Sequence, residues 1–200
     1  MSALEAAGCD MRPFDHGRLK STRPHRLASM VTMTHTSDGR PRARGLGIVL
    51  PGEPGPFNAI TDVGGVEVGV TTLIGGDGPL VVGTGPVRTG VTAILPRGRQ
   101  GVGQPCAAGW YSLNGNGEMT GTTWIDEAGS FNLPVVLSNT HAVGACHTGV
   151  VSWVNRLNPR LARQWLLPVC AETWDGYLND LTSSPRLRPR DSNSLCGLEQ

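Results

Sequence analysis

A chain of 200 residues with a formal net charge of +1 and 16% charged residues has room for one globular core and a tail at either end. It has no surplus of cations with which to neutralise a phosphate backbone or an anionic lipid surface, so neither nucleic acid nor a membrane is an expected partner. The N-terminus lacks the apolar run of a secretory signal, and no apolar stretch of about 18 residues occurs that could span a bilayer, which predicts a cytoplasmic protein.

The 28 glycines and 15 prolines follow no collagen period and form no low-complexity run, and they read as turn residues of a compact, strand-rich fold. Cys9, Cys106, Cys146, Cys170 and Cys196 are widely spaced and include no Cys-x-x-Cys pair, so they read as buried free thiols.

Residues 1–40 are polar and basic without helical or strand period, and they predict a disordered leader. Met33 stands just before the denser pattern and could serve as an alternative start. From residue 41 to residue 181 the pattern is that of a folded domain. Val66, Val68 and Val70 alternate with polar or small residues and continue to Ile74, which predicts a strand ending at Gly75-Gly76-Asp77-Gly78. Val87 to Leu95 predicts a second strand, and Ala107 to Leu113 a third that leads into Asn114-Gly115-Asn116-Gly117.

Trp124, Ile125, Ala128 and Phe131 recur at helical spacing, and a short apolar strand is expected from Pro134 to Ser138. Val143, Cys146, Val150, Val154 and Leu157 predict a longer helix with one apolar face, capped by Ser138, Asn139 or Thr140. Pro168 to Ala171 predicts a further strand. Strands with interposed helices make an α/β protein. Residues 182–200 form a polar tail with no apolar period.

Three stretches could carry chemistry. The glycine-rich loop around Glu118 would let backbone approach a ligand, although a plain hairpin turn explains the same composition. Ser138-Asn139-Thr140-His141 passes from a strand end to a helix start and could face a ligand or simply cap the helix. Ala171 to Asp180 places Glu172 beside Trp174 at a strand end, a pairing suited to a substrate ammonium by charge and by cation–π attraction. An exposed acidic turn would look the same in sequence. No phosphate-binding or dinucleotide-binding glycine motif occurs, nor a Gly-x-Ser-x-Gly elbow, and the spacing of His141, Cys146 and His147 does not suit a zinc site.

Taken in order, Arg42-Ala43-Arg44-Gly45-Leu46-Gly47, Asn58-Ala59-Ile60-Thr61-Asp62-Val63, Gly85-Pro86-Val87-Arg88-Thr89-Gly90-Val91-Thr92, Gly117-Glu118-Met119-Thr120-Gly121, Asn139-Thr140-His141 and Glu172-Thr173-Trp174-Asp175-Gly176 resemble the L-aminopeptidase/D-esterase family, which includes the β-peptidyl aminopeptidases. The resemblance implies part of a four-layer αββα sandwich similar to the N-terminal-nucleophile hydrolases, made as a precursor that cuts itself into two subunits and assembles as a homo-oligomer. It implies an N-terminal serine nucleophile whose own amine acts as base, with no metal or organic cofactor. The substrates implied are small peptides, amides or esters with a free amino group.

By the same resemblance Glu172 is the first choice for the ammonium contact, with Trp174, Asn139 and Glu118 as further pocket residues. Trp174 stands where some members place a tyrosine, and an indole cannot act as a phenolic acid or base. Family motifs that carry the oxyanion-binding asparagine and the Gly-Ser cleavage point do not follow Asp180. The expectation is therefore a substrate-binding front part without its nucleophile, and the alternative is a catalytically inactive remnant or amine-binding fragment.

Overall fold

The computed structural model describes residues 33–182, and these fall into two compact units that divide at Val66 and Glu67. Most of the expected leader and nearly all of the polar tail lie outside the described residues. Residues 33–40, at the leader's end, form a tight turn in which Thr36 and Arg40 exchange backbone and side-chain hydrogen bonds, closed by a bridge between His35 and Pro41.

The described part of the smaller unit is held together by polar groups more than by apolar burial. Two short 3-10 helices, Ala43–Leu46 and Ile60–Asp62, contain no buried residue. Arg42 instead donates from its guanidinium to the carbonyls of Met33, Phe57 and Asn58, and Arg44 donates to the Asn58 side chain at 3.2 Å and the Leu50 carbonyl at 2.9 Å. A planar fork of five donors suits this gathering of loop carbonyls. The Asp62 carboxylate accepts from the N–H groups of Ala59 and Phe57, and these bonds hold its pKa below the ordinary value. Two of the six sequence blocks thus hold each other.

The larger unit is built on a mixed four-stranded sheet. β1 (Glu67–Gly75) and β2 (Val87–Leu95) pair antiparallel over their whole length, and β2 then pairs antiparallel with β5 (Val135–Asn139), which pairs parallel with β6 (Val169–Thr173). The two remaining strands, β3 (Cys106–Ala107) and β4 (Ser130–Phe131), form a separate two-residue ladder. Two α-helices accompany them, α1 (Thr122–Ala128) and α2 (Val143–Leu157).

Alternation along the strands sends Val91, Ala93, Leu95, Val136 and Cys170 to one face, where Val143, Cys146, Val150, Trp153 and Val154 of α2 pack against them. The helix therefore buries the stripe that its 3.6-residue period specifies, except that Leu157 is exposed at its C-terminal end. The opposite face of the sheet carries Val68, Val70, Ile74 and Ile94 by the same register, with Val70 and Ile74 exposed.

Two expectations need correction. The third strand does not run from Ala107 to Leu113: only Cys106–Ala107 pairs, and the chain after Ala108 leaves the ladder, held by the Trp110 indole N–H donating to Asp126 at 2.8 Å. Tyr111 and Leu113 are exposed, so the apolar residues of that stretch are not a buried strand face. The helix expected through Phe131 stops at Ala128 because Gly129 adopts φ +61, a left-handed cap that turns the chain into β4.

Candidate substrate-binding site

The C-terminal ends of the parallel strands β5 and β6 lie side by side, with Ser138 opposite Glu172 and Asn139 opposite Thr173. In open α/β sheets this is where ligand-binding residues collect, because the chain leaves the sheet there with loops and helix starts that can be varied without disturbing the core. Four of the six sequence blocks meet here, in the larger unit.

The outer edge of β6 is covered by the Glu118 to Thr120 segment. The Glu172 N–H donates to the Glu118 carbonyl at 3.1 Å, the Thr120 N–H to the Cys170 carbonyl at 2.9 Å, and the Thr120 hydroxyl to the Pro168 carbonyl at 2.7 Å. Gly121 at φ +77 then turns this segment into α1. Glu118 enters the site through its backbone, and its side chain is exposed. A Cβ at Gly117 would lie 3.5 Å from Glu172 Oε1, so the glycine loop runs directly beside that carboxylate. Glu172 itself is half-buried, and its Oε2 is buried with no hydrogen-bond partner.

Asn139 is 4% exposed and commits both ends of its amide to the protein: Nδ2 donates to the Thr89 hydroxyl at 2.9 Å, and Oδ1 accepts from the His141 N–H at 3.1 Å. The second bond caps the 3-10 turn Thr140–Ala142 that leads into α2. The sequence offered Ser138, Asn139 or Thr140 as the cap of α2; Asn139 caps the preceding turn instead, and α2 itself starts after Ala142 with no side-chain cap.

Trp174 is 55% exposed, with its ring folded back over Gly176 and edge-on to Tyr177 at 4.6 Å between centroids. A Cβ at Gly176 would come within 2.8 Å of the indole. The Asp175 carboxylate accepts from the Asn179 side chain at 3.1 Å. Sequence reasoning missed Asn179 and Asp180, which are 1% and 2% exposed. Asn179 Oδ1 accepts from the Arg88 N–H at 3.0 Å and Asp180 Oδ2 from the Gly85 N–H at 3.1 Å. No local pattern marked them, because their burial comes from partners more than 90 residues away in sequence.

Beneath the site, Cys146 and Cys170 are buried in the core, and burial pushes their thiols up to about 11 and about 12 respectively, with a Ser138 hydrogen bond partly opposing the rise at Cys146. Among the described residues no group of three or more His, Cys, Asp or Glu side chains could hold a metal ion.

The sequence profile of peptidase family S58 matches residues 58–191. The chain belongs to that family. Two β-peptidyl aminopeptidases named BapA, from Sphingosinicella microcystinivorans and Sphingosinicella xenopeptidilytica, are each 49% identical to it over 79% of its length, which is 39% and 40% of theirs. Among solved structures, the L-aminopeptidase D-Ala-esterase/amidase of Ochrobactrum anthropi, described as a variant of the Ntn hydrolase fold, matches with a TM-score of 0.68 at 43% identity, covering 78% of this chain and 44% of that one.

A Burkholderia sp. β-aminopeptidase matches with a TM-score of 0.62 at 40% identity, covering 77% of this chain and 43% of that one. The family resemblance read from the six blocks and the α/β class related to N-terminal-nucleophile hydrolases are both borne out. The chain spans about two-fifths of the length of the curated relatives it matches.

Proposed function

We propose that this S58 chain supplies the amine-binding part of an aminopeptidase that removes N-terminal residues from small peptides, amides or esters, with the substrate ammonium held at Glu172. The observation that carries this reading is the buried, unpartnered Oε2 of Glu172 at the end of β6. A carboxylate oxygen only accepts, and burying one without a donor costs on the order of 1–3 kcal/mol or more for a charged group. A primary ammonium brings three donors and the opposite charge, so it removes that cost on binding. The names of the relatives, aminopeptidases all, support the same substrate end.

Trp174 offers an exposed indole two residues along, suited to the apolar part of a substrate and to its cation. Asn139 acts in this reading by fixing the turn at the end of β5, and Glu118 by fixing the edge of β6. The carbonyl next to the bound amine would be attacked by the N-terminal serine that the family resemblance implies, giving an acyl-enzyme that water resolves, in a processed homo-oligomer of the cytoplasm.

The test is a calorimetric titration of the purified chain with β-alaninamide. The expected result is saturable binding that Glu172→Gln weakens about 10-fold to 100-fold, the range of a charge-assisted bond, and that N-acetylation of the ligand abolishes. Equal binding by the variant, or by the acetylated amide, would remove the reading.

A further inference from the structure

Among the described residues, two buried side-chain oxygens have no hydrogen-bond partner: Glu172 Oε2 and Thr140 Oγ1. A folded core leaves very few such atoms, and each one asks for an explanation. Both lie in one region of the 150 described residues.

Their placement follows from the sheet. Ser138 and Glu172 are opposite each other on β5 and β6. Ser138 faces α2, since it contacts the Cys146 thiol, and Cys170, two residues before Glu172, lies in the same core cluster. Alternation therefore puts Glu172 on the α2 side of the sheet. Asn139 remains extended at φ −71 and ψ 162, so alternation carries past it and returns the Thr140 side chain to the side of Ser138.

The turn Thr140–Ala142 packs against β6. With strands about 4.8 Å apart and a rise of about 3.3 Å per residue, the Cα atoms of Thr140 and Glu172 are separated by roughly 8 Å on one face. The longer glutamate side chain covers most of that distance.

We infer that Thr140 is a second ligand of the substrate ammonium, its hydroxyl accepting one N–H while Glu172 Oε2 accepts another. This rests on the amine-binding reading above and adds to it a specificity: the site selects a nitrogen with at least two N–H groups. A tetrahedral ammonium donating two bonds of about 2.8 Å spans oxygens roughly 4.6 Å apart. An anion cannot satisfy this pair, because the carboxylate would repel it. A tertiary ammonium has one N–H and leaves one of the two oxygens without a donor. Thr140 binds and orients the amine; it takes no part in proton transfer.

The experiment compares β-alaninamide with its N,N-dimethyl analogue on the wild-type chain and on Thr140→Val, Thr140→Ser and Glu172→Gln, by calorimetry, with a thermal unfolding curve for each. The wild type is expected to prefer the primary amine about tenfold. Thr140→Val, which keeps the shape and removes the oxygen, is expected to lose about tenfold for the primary amine and little for the dimethyl analogue, so that the preference closes. Its unfolding temperature should hold or rise, since the variant removes a buried hydroxyl without a partner, and a purely structural role predicts the reverse.

Thr140→Ser should keep the wild-type preference. Should Thr140→Val bind both amines as the wild type does while Glu172→Gln loses binding, the role of Thr140 is refuted and the Glu172 reading stands. Loss of both amines alike in a folded Thr140→Val also refutes it. Should the wild type bind neither amine, both readings fall together.

Discussion

The Asp180 carboxylate accepts a hydrogen bond from the Gly85 N–H at 3.1 Å, and this ties the turn that follows β6 to the residues that open β2. Asp180 is 2% exposed, and the adjacent Asn179 makes the parallel connection to the Arg88 N–H. The Trp174 to Asp180 turn is thereby fastened to the start of β2, which β5 does not reach because it pairs only with Thr92 to Ile94.

Replacing Asp180 with alanine leaves the Gly85 N–H only the Val81 carbonyl, which it also reaches at 3.1 Å, and removes the side-chain link across 95 residues. The expected cost is about 1–3 kcal/mol, in the range for a buried hydrogen bond to a charged group. Urea unfolding of the variant should show a lower midpoint at an unchanged slope. Asn179→Ala should cost a similar amount, and the double variant less than the sum of the two, because both residues hold the same turn.

Gly90 in β2 is the second place where one atom decides. A Cβ built there would stand 2.4 Å from the Thr71 carbonyl of β1, and a strand backbone inside a ladder cannot move as a flexible side chain can. Gly90→Ala is expected to destabilise the unit by about 1–3 kcal/mol through overpacking, with the loss visible as faster amide exchange along β1 before β2. Unchanged exchange in β1 would show that the ladder accommodates the methyl group.

The strands and α2 were legible in the sequence because each is a local pattern: the period of two through Val87 to Leu95 and the period near 3.6 through Val143 to Val154 state which face is buried without reference to any partner. The stretch after Ala107 misled for the same reason. Trp110, Tyr111 and Leu113 have strand character, but no strand pairs with them, and the indole of Trp110 turns to Asp126 instead.

Buried polar residues were illegible because their burial depends on partners far away in sequence: Asn179 and Asp180 looked like part of an acidic turn until Gly85 and Arg88 were brought to them. Glu172 could be singled out beforehand, but its buried, unpartnered oxygen could not, since that depends on Gly117 and the Glu118 segment closing over β6.

Asn139 shows how a residue in a ligand-facing position can serve the fold. Asn139→Asp keeps an acceptor for the His141 N–H and loses the donor to Thr89, while Asn139→Ala loses both. The aspartate variant is expected to cost less, with alanine reducing stability by about 1–2 kcal/mol, as for other lost caps. Thermal unfolding of the two variants side by side checks the order; an aspartate variant as unstable as alanine would make the Thr89 bond the dominant one.

The two buried thiols predict how the unit responds to alkali. Burial raises Cys146 to about 11 and Cys170 to about 12 from an ordinary value of 9.0, and the charge each would place beside the other adds to the rise at Cys170. In the unfolded chain the same thiols lose their protons near the ordinary value, so between pH 9 and 11 the folded state holds more protons than the unfolded one and stability falls as pH rises. The contribution of the neutral thiols is complete below pH 9 and lost as pH climbs through the folded values.

The slope should be on the order of 1 kcal/mol per pH unit for each thiol. Replacing both by serine would bring hydroxyls into the same apolar place, so alanine is the better probe: Cys146→Ala with Cys170→Ala should flatten the decline above pH 9 while lowering stability at pH 7 through the lost packing. A double variant that keeps the wild-type alkaline slope would assign that slope to groups other than these two thiols.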